Sequence, residues 1–79
     1  MDLLDQIMQD IEKYKEKILK DQDDSFFMHF GIGMYIRNQY LWHQPKNIQY
    51  FEEKFGLSDP DDISHEILRI FIEKNSSKN

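Results

Sequence analysis

The sequence predicts an all-α single domain: a compact four-helix arrangement in which the third helix is short and the second is central. Three observations predict it. Apolar residues recur at helical spacing in four separate stretches, and nothing reads as a pair of strands. Both Pro and Gly56 stand at the boundaries between those stretches, which leaves Gly31 and Gly33 as the only breakers inside one. Seventy-nine residues, 39% of them hydrophobic, have room for one core and are too apolar for a disordered tail. A chain this short buries only ~60–65% of the surface its unfolded form exposes. Completion by a partner or a homodimer is therefore an expectation.

In helix 1, about residues 2–20, Leu4, Ile7, Ile11, Tyr14 and Ile18 recur every three or four residues and form one stripe, which Met8 widens. Asp5, Gln9, Glu12 and Glu16 occupy the solvated side. The acids of Asp21-Gln22-Asp23-Asp24-Ser25 suit the N-cap and first turn of helix 2, about residues 25–39, because a helix N-terminus favours negative charge. Phe26, Phe27, Met28, Phe30, Ile32, Met34, Tyr35 and Ile36 make helix 2 apolar nearly all round, the pattern of a buried central helix. Gly31 and Gly33 each cost about 1 kcal/mol against Ala there, which implies a close approach of backbone or a ring.

Tyr40 to Pro45 reads as an apolar connection folded back on the core. Helix 3, about residues 47–55, presents Ile48, Phe51 and Phe55, and Gly56 ends it as a left-handed cap with Leu57 packing back. Helix 4, about residues 60–74, has the clearest start: Asp59 as N-cap, Pro60 at the first helical position, then Asp61 and Asp62 in the first turn. Its apolar face is Ile63, Ile67, Ile70 and Phe71. Residues 75–79 read as a frayed tail. If consecutive helices run antiparallel, the N-termini of helices 2 and 4 share one end. Asp23, Asp24, Asp59, Asp61 and Asp62 would then converge on an acidic pole, with Arg37, Asn38 and Trp42 at the other.

The net charge of -5 disfavours direct nucleic-acid binding and favours a partner with a basic surface. No apolar run approaches a membrane span, and acids stand where a signal peptide needs positive charge. With no Cys, the expected compartment is the cytoplasm. No metal or other cofactor is expected: Asp59, Asp61 and Asp62 lack the ligand alternation of a calcium loop, and His65-Glu66-Ile67-Leu68-Arg69 has Arg where a zincin helix needs its second His. No nucleophile elbow, phosphate-cradling loop or catalytic carboxylate pair is present, so no enzymatic activity is expected.

Two sets of residues stand out as binding candidates. His29, Gly33 and Arg37 are spaced i, i+4, i+8 on one face of helix 2, and Arg37 must be paired if buried. They form either a structural hydrogen-bond network or a slot, floored by Gly33, for an anion or a partner side chain. Tyr35, Tyr40 and Trp42 are candidate interface anchors, because so small a core cannot easily enclose eleven aromatic residues.

The block His29-Phe30-Gly31-Ile32-Gly33-Met34-Tyr35-Ile36-Arg37-Asn38, followed by Leu41-Trp42 and Asp59-Pro60-Asp61-Asp62-Ile63-Ser64, resembles a family of short, uncharacterised bacterial and phage-associated proteins with the pattern HFGxGMxIRN…LW…PDD(I/M)S. The resemblance spans most of the domain, from Ser25 to Phe71. It implies a helical domain, a bacterial or phage setting, and a motif joining His29, Gly33 and Arg37 to Asp61 and Asp62. The chain departs from it in the compact Gln39-Tyr40 before Leu41-Trp42, where relatives carry glycine-containing loops. The expected function is a non-enzymatic module that binds another protein through acidic and aromatic surface, in the style of an immunity protein, an antitoxin or a phage-encoded inhibitor of a host nuclease. The alternatives are a small-anion or nucleotide sensor using the His29, Gly33, Arg37 slot, and a homodimeric structural module.

Overall fold

The computed structural model describes residues 2–76, and no strand forms among them. Helix α1, residues 3–20, is α-helical over Leu3–Ile11 and Lys15–Lys20, with a tighter 3-10 turn at Glu12–Tyr14 between. Asp2 caps it by accepting the Asp5 amide at 3.0 Å. The stripe buries Ile7, Ile11 and Ile18. Tyr14 falls out of it and is exposed, because the 3-10 turn advances each side chain further round the axis than an α turn does.

Helix α2 runs over residues 25–41, two residues past its expected end. Asp24 caps it, its Oδ1 accepting from the Phe27 amide at 3.1 Å. Two stretches, Phe27–Ile32 and Arg37–Leu41, are wound as π-helix on either side of one α turn, Gly33–Ile36. The Gly33 amide donates to the Met28 carbonyl five residues back, and the Trp42 amide donates likewise to Arg37 at 2.8 Å. Gly33 is required by this winding: a Cβ there would stand 2.3 Å from the Met28 oxygen.

Helix α3, Pro45–Phe55, begins at Pro45 rather than at Asn47, since proline is well suited to a first helical position whose amide needs no partner. Gly56 ends it with φ 75 and donates to the Glu52 carbonyl, as the sequence predicts. Helix α4, Pro60–Ser76, starts on the predicted cap, with Asp59 Oδ1 accepting the Asp61 amide at 2.8 Å. It extends through Asn75 and Ser76, whose side chains donate to the Phe71 and Ile72 carbonyls, so the expected tail begins later; residues 77–79 lie outside the described residues.

The core is assembled from Ile7, Ile11, Ile18, Ile32, Ile36, Leu41, Phe51, Ile63, Ile67, Leu68 and Phe71. Both α2 and α4 reach all three other helices, α2 touching α1 through the Tyr35 and Tyr40 hydroxyls. What is corrected is the expectation that α2 is enclosed all round: Phe26, Phe30 and Met34 lie on an open side of it. Apolar residues all round a helix gave no means of distinguishing a buried side from one left uncovered. The two-pole arrangement is corrected as well. Arg37, in the C-terminal half of α2, meets Asp61 and Ser64 in the first turns of α4, so the basic residue assigned to one pole is paired with an acid assigned to the other.

Candidate functional site

Arg37 is 4% exposed and is held by one ion pair and two hydrogen bonds. Its Nε lies 3.2 Å from Asp61 Oδ1, Nη1 donates to Ser64 Oγ at 3.1 Å, and Nη2 donates to the His29 carbonyl at 2.8 Å. Ser64 in turn donates to the Asp61 carbonyl at 3.1 Å. The guanidinium thus ties two turns of α2 to the start of α4 and is neutralised by this chain's own carboxylate.

The slot read from the sequence is not open. Gly33 is buried, and a Cβ added to it would stand 3.2 Å from Arg37 Nη1, so the arginine itself fills the space above the glycine. His29 contributes its backbone carbonyl, while its ring is exposed and meets Phe30 edge-on with centroids 4.6 Å apart. The network half of the sequence-level alternative is the one this geometry matches.

Tyr35 and Tyr40 also turn inward. Both hydroxyls donate to the Asp10 carboxylate of α1, Tyr35 at 2.9 Å and Tyr40 at 2.5 Å, and Lys13 Nζ lies 3.2 Å from the same group. Burial works against the Asp10 charge, but the two tyrosines and Lys13 outweigh it and hold the carboxyl below its usual range. Burial first, and then the bond to Asp10, pushes Tyr40 up to about 12 and also raises Tyr35. Nothing in the sequence pattern singles out Asp10, because its partners are 25 and 30 residues away.

Trp42 is 45% exposed beyond the end of α2, and Asn38 is exposed. The turn after α2 is held instead by Asn47, whose side-chain amide donates to the Tyr40 carbonyl at 2.8 Å, and by Gln44, which donates to the Gln39 carbonyl at 3.0 Å. Neither residue was marked by the sequence pattern.

What the structure brings together is an open groove of about 880 Å³ between α2 and α4. His29, Arg37, Asp23, Asp61 and Asp62 all line it, whereas Asp24 and Asp59 act as helix caps. One wall carries Phe26 and Phe30, 72% and 51% exposed, with ring centroids 5.1 Å apart. Leu68 and Ile72 contribute apolar surface from α4. The cations of the groove are held internally. Arg37 is on Asp61, and Arg69 is on both Glu66 and Glu73, an arrangement in which the guanidinium holds Glu66 below the usual carboxylate range. Asp23 and Asp62 have no ion-pair partner among the described residues. Three of the four lysines of α1 are similarly engaged, Lys13 and Lys15 with acids of the same helix and Lys17 with Asp21 just past its end, each within 4 Å.

Fold and groove define a small all-α domain that displays aromatic side chains beside uncompensated acids. The chain belongs to the family described as a domain of unknown function, DUF6794, whose model matches residues 1–75. No curated protein and no solved structure matches it. No helix among the described residues is long and apolar enough to cross a membrane.

Proposed function

We propose that this chain is a non-enzymatic binding module that recognises another protein carrying a basic surface. The observation that supports it is the Phe26 and Phe30 pair, in contact with each other at a 40° tilt and turned to solvent. Fully burying one such ring stabilises by about 1.5–3 kcal/mol, and a small domain forgoes that on two adjacent rings of one helix. Exposed aromatics next to one another are the usual anchors of protein interfaces. The net charge of -5 would steer a basic partner toward them.

The module would act in the style of an immunity protein, an antitoxin or a phage-encoded inhibitor of a nuclease; the motif resemblance suggests a bacterial or phage setting, and the absence of Cys suits the cytoplasm. The test compares capture by the wild-type chain with capture by a Phe26→Ser, Phe30→Ser variant in a bacterial lysate, followed by a salt titration of the purified pair. A single protein retained by the first and lost by the second, with affinity falling as salt rises, is the expected result. Identical capture by both chains, or a partner whose affinity ignores salt, overturns the reading.

A further inference from the structure

The groove between α2 and α4 has a shape and charge that narrow the partner to one kind of element. We infer that it receives a basic amphipathic α-helix, whose apolar face covers Phe26 and Phe30 and whose lysines or arginines meet Asp23 and Asp62; this rests on the binding reading above. The choice of a helix follows from backbone hydrogen bonding. An extended segment entering the groove would bury its own amides and carbonyls, and the helical walls have no strand edge among the described residues with which to pair them. A helix satisfies its backbone internally and brings only side chains.

The choice of basic charge follows from the ion-pair pattern. Each guanidinium of the groove is matched or outnumbered by acids of this chain: Arg37 has Asp61, and Arg69 sits between Glu66 and Glu73. With Asp23 and Asp62 added, the groove carries an excess of negative charge that internal pairing does not remove. The same excess weighs against a second copy of this acidic chain, whose groove would repel this one. The exposed Phe pair repeats at i and i+4 on one helix, the spacing that interdigitates with i, i+3 and i+4 apolar anchors on a crossing helix.

The test uses the full chain and fluorescein-labelled synthetic peptides read by anisotropy: a Leu/Lys amphipathic helix, a Leu/Glu helix of the same length, and a Leu/Lys peptide of the same composition broken by a central Pro. The Leu/Lys helix is expected to bind at least about tenfold more tightly than either control. Phe26→Ser with Phe30→Ser should weaken it by a similar factor, and Asp23→Asn with Asp62→Asn should weaken it while flattening its salt dependence. Those four side chains are exposed, so far-ultraviolet circular dichroism and gel-filtration volume should stay as in the wild type. Equal binding of the Pro-broken peptide overturns the helical occupant while leaving the wider reading intact, since lysate capture is read separately. Equal binding of the Leu/Glu helix, no effect of the Phe variants, or a concentration-dependent dimer that those variants dissolve would each overturn the inference.

Discussion

Arg37 Nε lies 3.2 Å from Asp61 Oδ1, and the two ends of this pair live in different surroundings: the arginine side chain is 4% exposed and the aspartate 55%. The cost of losing either partner should be asymmetric. Arg37→Ala removes two hydrogen bonds and an ion pair, leaves the His29 carbonyl without this donor and opens a void beside Gly33, and is expected to cost about 2–4 kcal/mol. Asp61→Ala leaves a guanidinium that keeps two neutral acceptors and that water can reach where the half-exposed aspartate stood, at about 1–2 kcal/mol. Arg37→Lys should not recover the loss, because one ammonium cannot reach three acceptors spread over two helices. Urea unfolding midpoints at constant slope would show this order; an Arg37→Ala chain as stable as the wild type would mean that the network holds nothing together.

Gly33→Ala should reverse the usual rule that Ala stabilises a helix by about 1 kcal/mol over Gly. The new Cβ would meet the Met28 carbonyl at 2.3 Å, with Arg37 Nη1 at 3.2 Å, and backbone cannot step aside as a side chain can. The expected loss is at least about 1–3 kcal/mol. At Gly31 the nearest obstacle is the Phe27 ring at 2.8 Å, which can rotate, so Gly31→Ala should cost clearly less. Thermal melts of both variants decide it, and equal losses would contradict a specific role for Gly33 in the π winding.

What the sequence disclosed here was local. The caps at Asp24, Asp59 and Gly56 follow from residue chemistry within three positions, and the Ile7, Ile11, Ile18 stripe from spacing alone. The oddity of Gly33 and Arg37 was visible, but not that the second fills the space above the first. That depends on the π turns, in which each hydrogen bond reaches one residue further than in an α-helix, a difference that no residue type announces. The Asp10 cluster was out of reach for another reason: a carboxylate on a solvated helix face looks the same whether or not two tyrosines arrive from another helix.

That cluster gives the chain a defined response to pH. Tyr40 is raised from 10.0 to about 12 in the folded protein, so the folded state holds its proton more tightly than the unfolded state. The associated stability is fully present below pH 10 and is lost between pH 10 and about 12. Asp10 is shifted the other way, so its contribution is present above the ordinary carboxylate range and lost as pH falls through and below it. Tyr40→Phe should abolish most of the alkaline loss, and Asp10→Asn should remove the acid limb's contribution while only reducing the alkaline one, since burial is the larger cause of the Tyr40 shift. Melting temperature against pH, with tyrosinate absorbance followed in parallel, checks each variant; an alkaline limb unchanged in Tyr40→Phe would assign the loss to other groups.

His43 is the one described non-glycine residue with positive φ, at 61. It follows Trp42 at φ -64, ψ 129, and the Gln44 amide donates to the Leu41 carbonyl at 3.2 Å, which makes Leu41 to Gln44 a type II turn. The third position of such a turn favours glycine, since a Cβ in left-handed backbone costs roughly 1–2 kcal/mol. Replacing His43 by Gly removes that strain but adds freedom to the unfolded chain, so the net gain should be about 0.5–1 kcal/mol. His43→Asn tolerates the same backbone with less added freedom and should gain a smaller amount. Because the His43 side chain is exposed, neither change removes core contacts, and a rise in the urea midpoint measures the backbone strain less the freedom added to the unfolded chain. A fall in the midpoint for both would show that the imidazole makes a contribution outweighing the strain, and would move attention from the turn's backbone to its side chain.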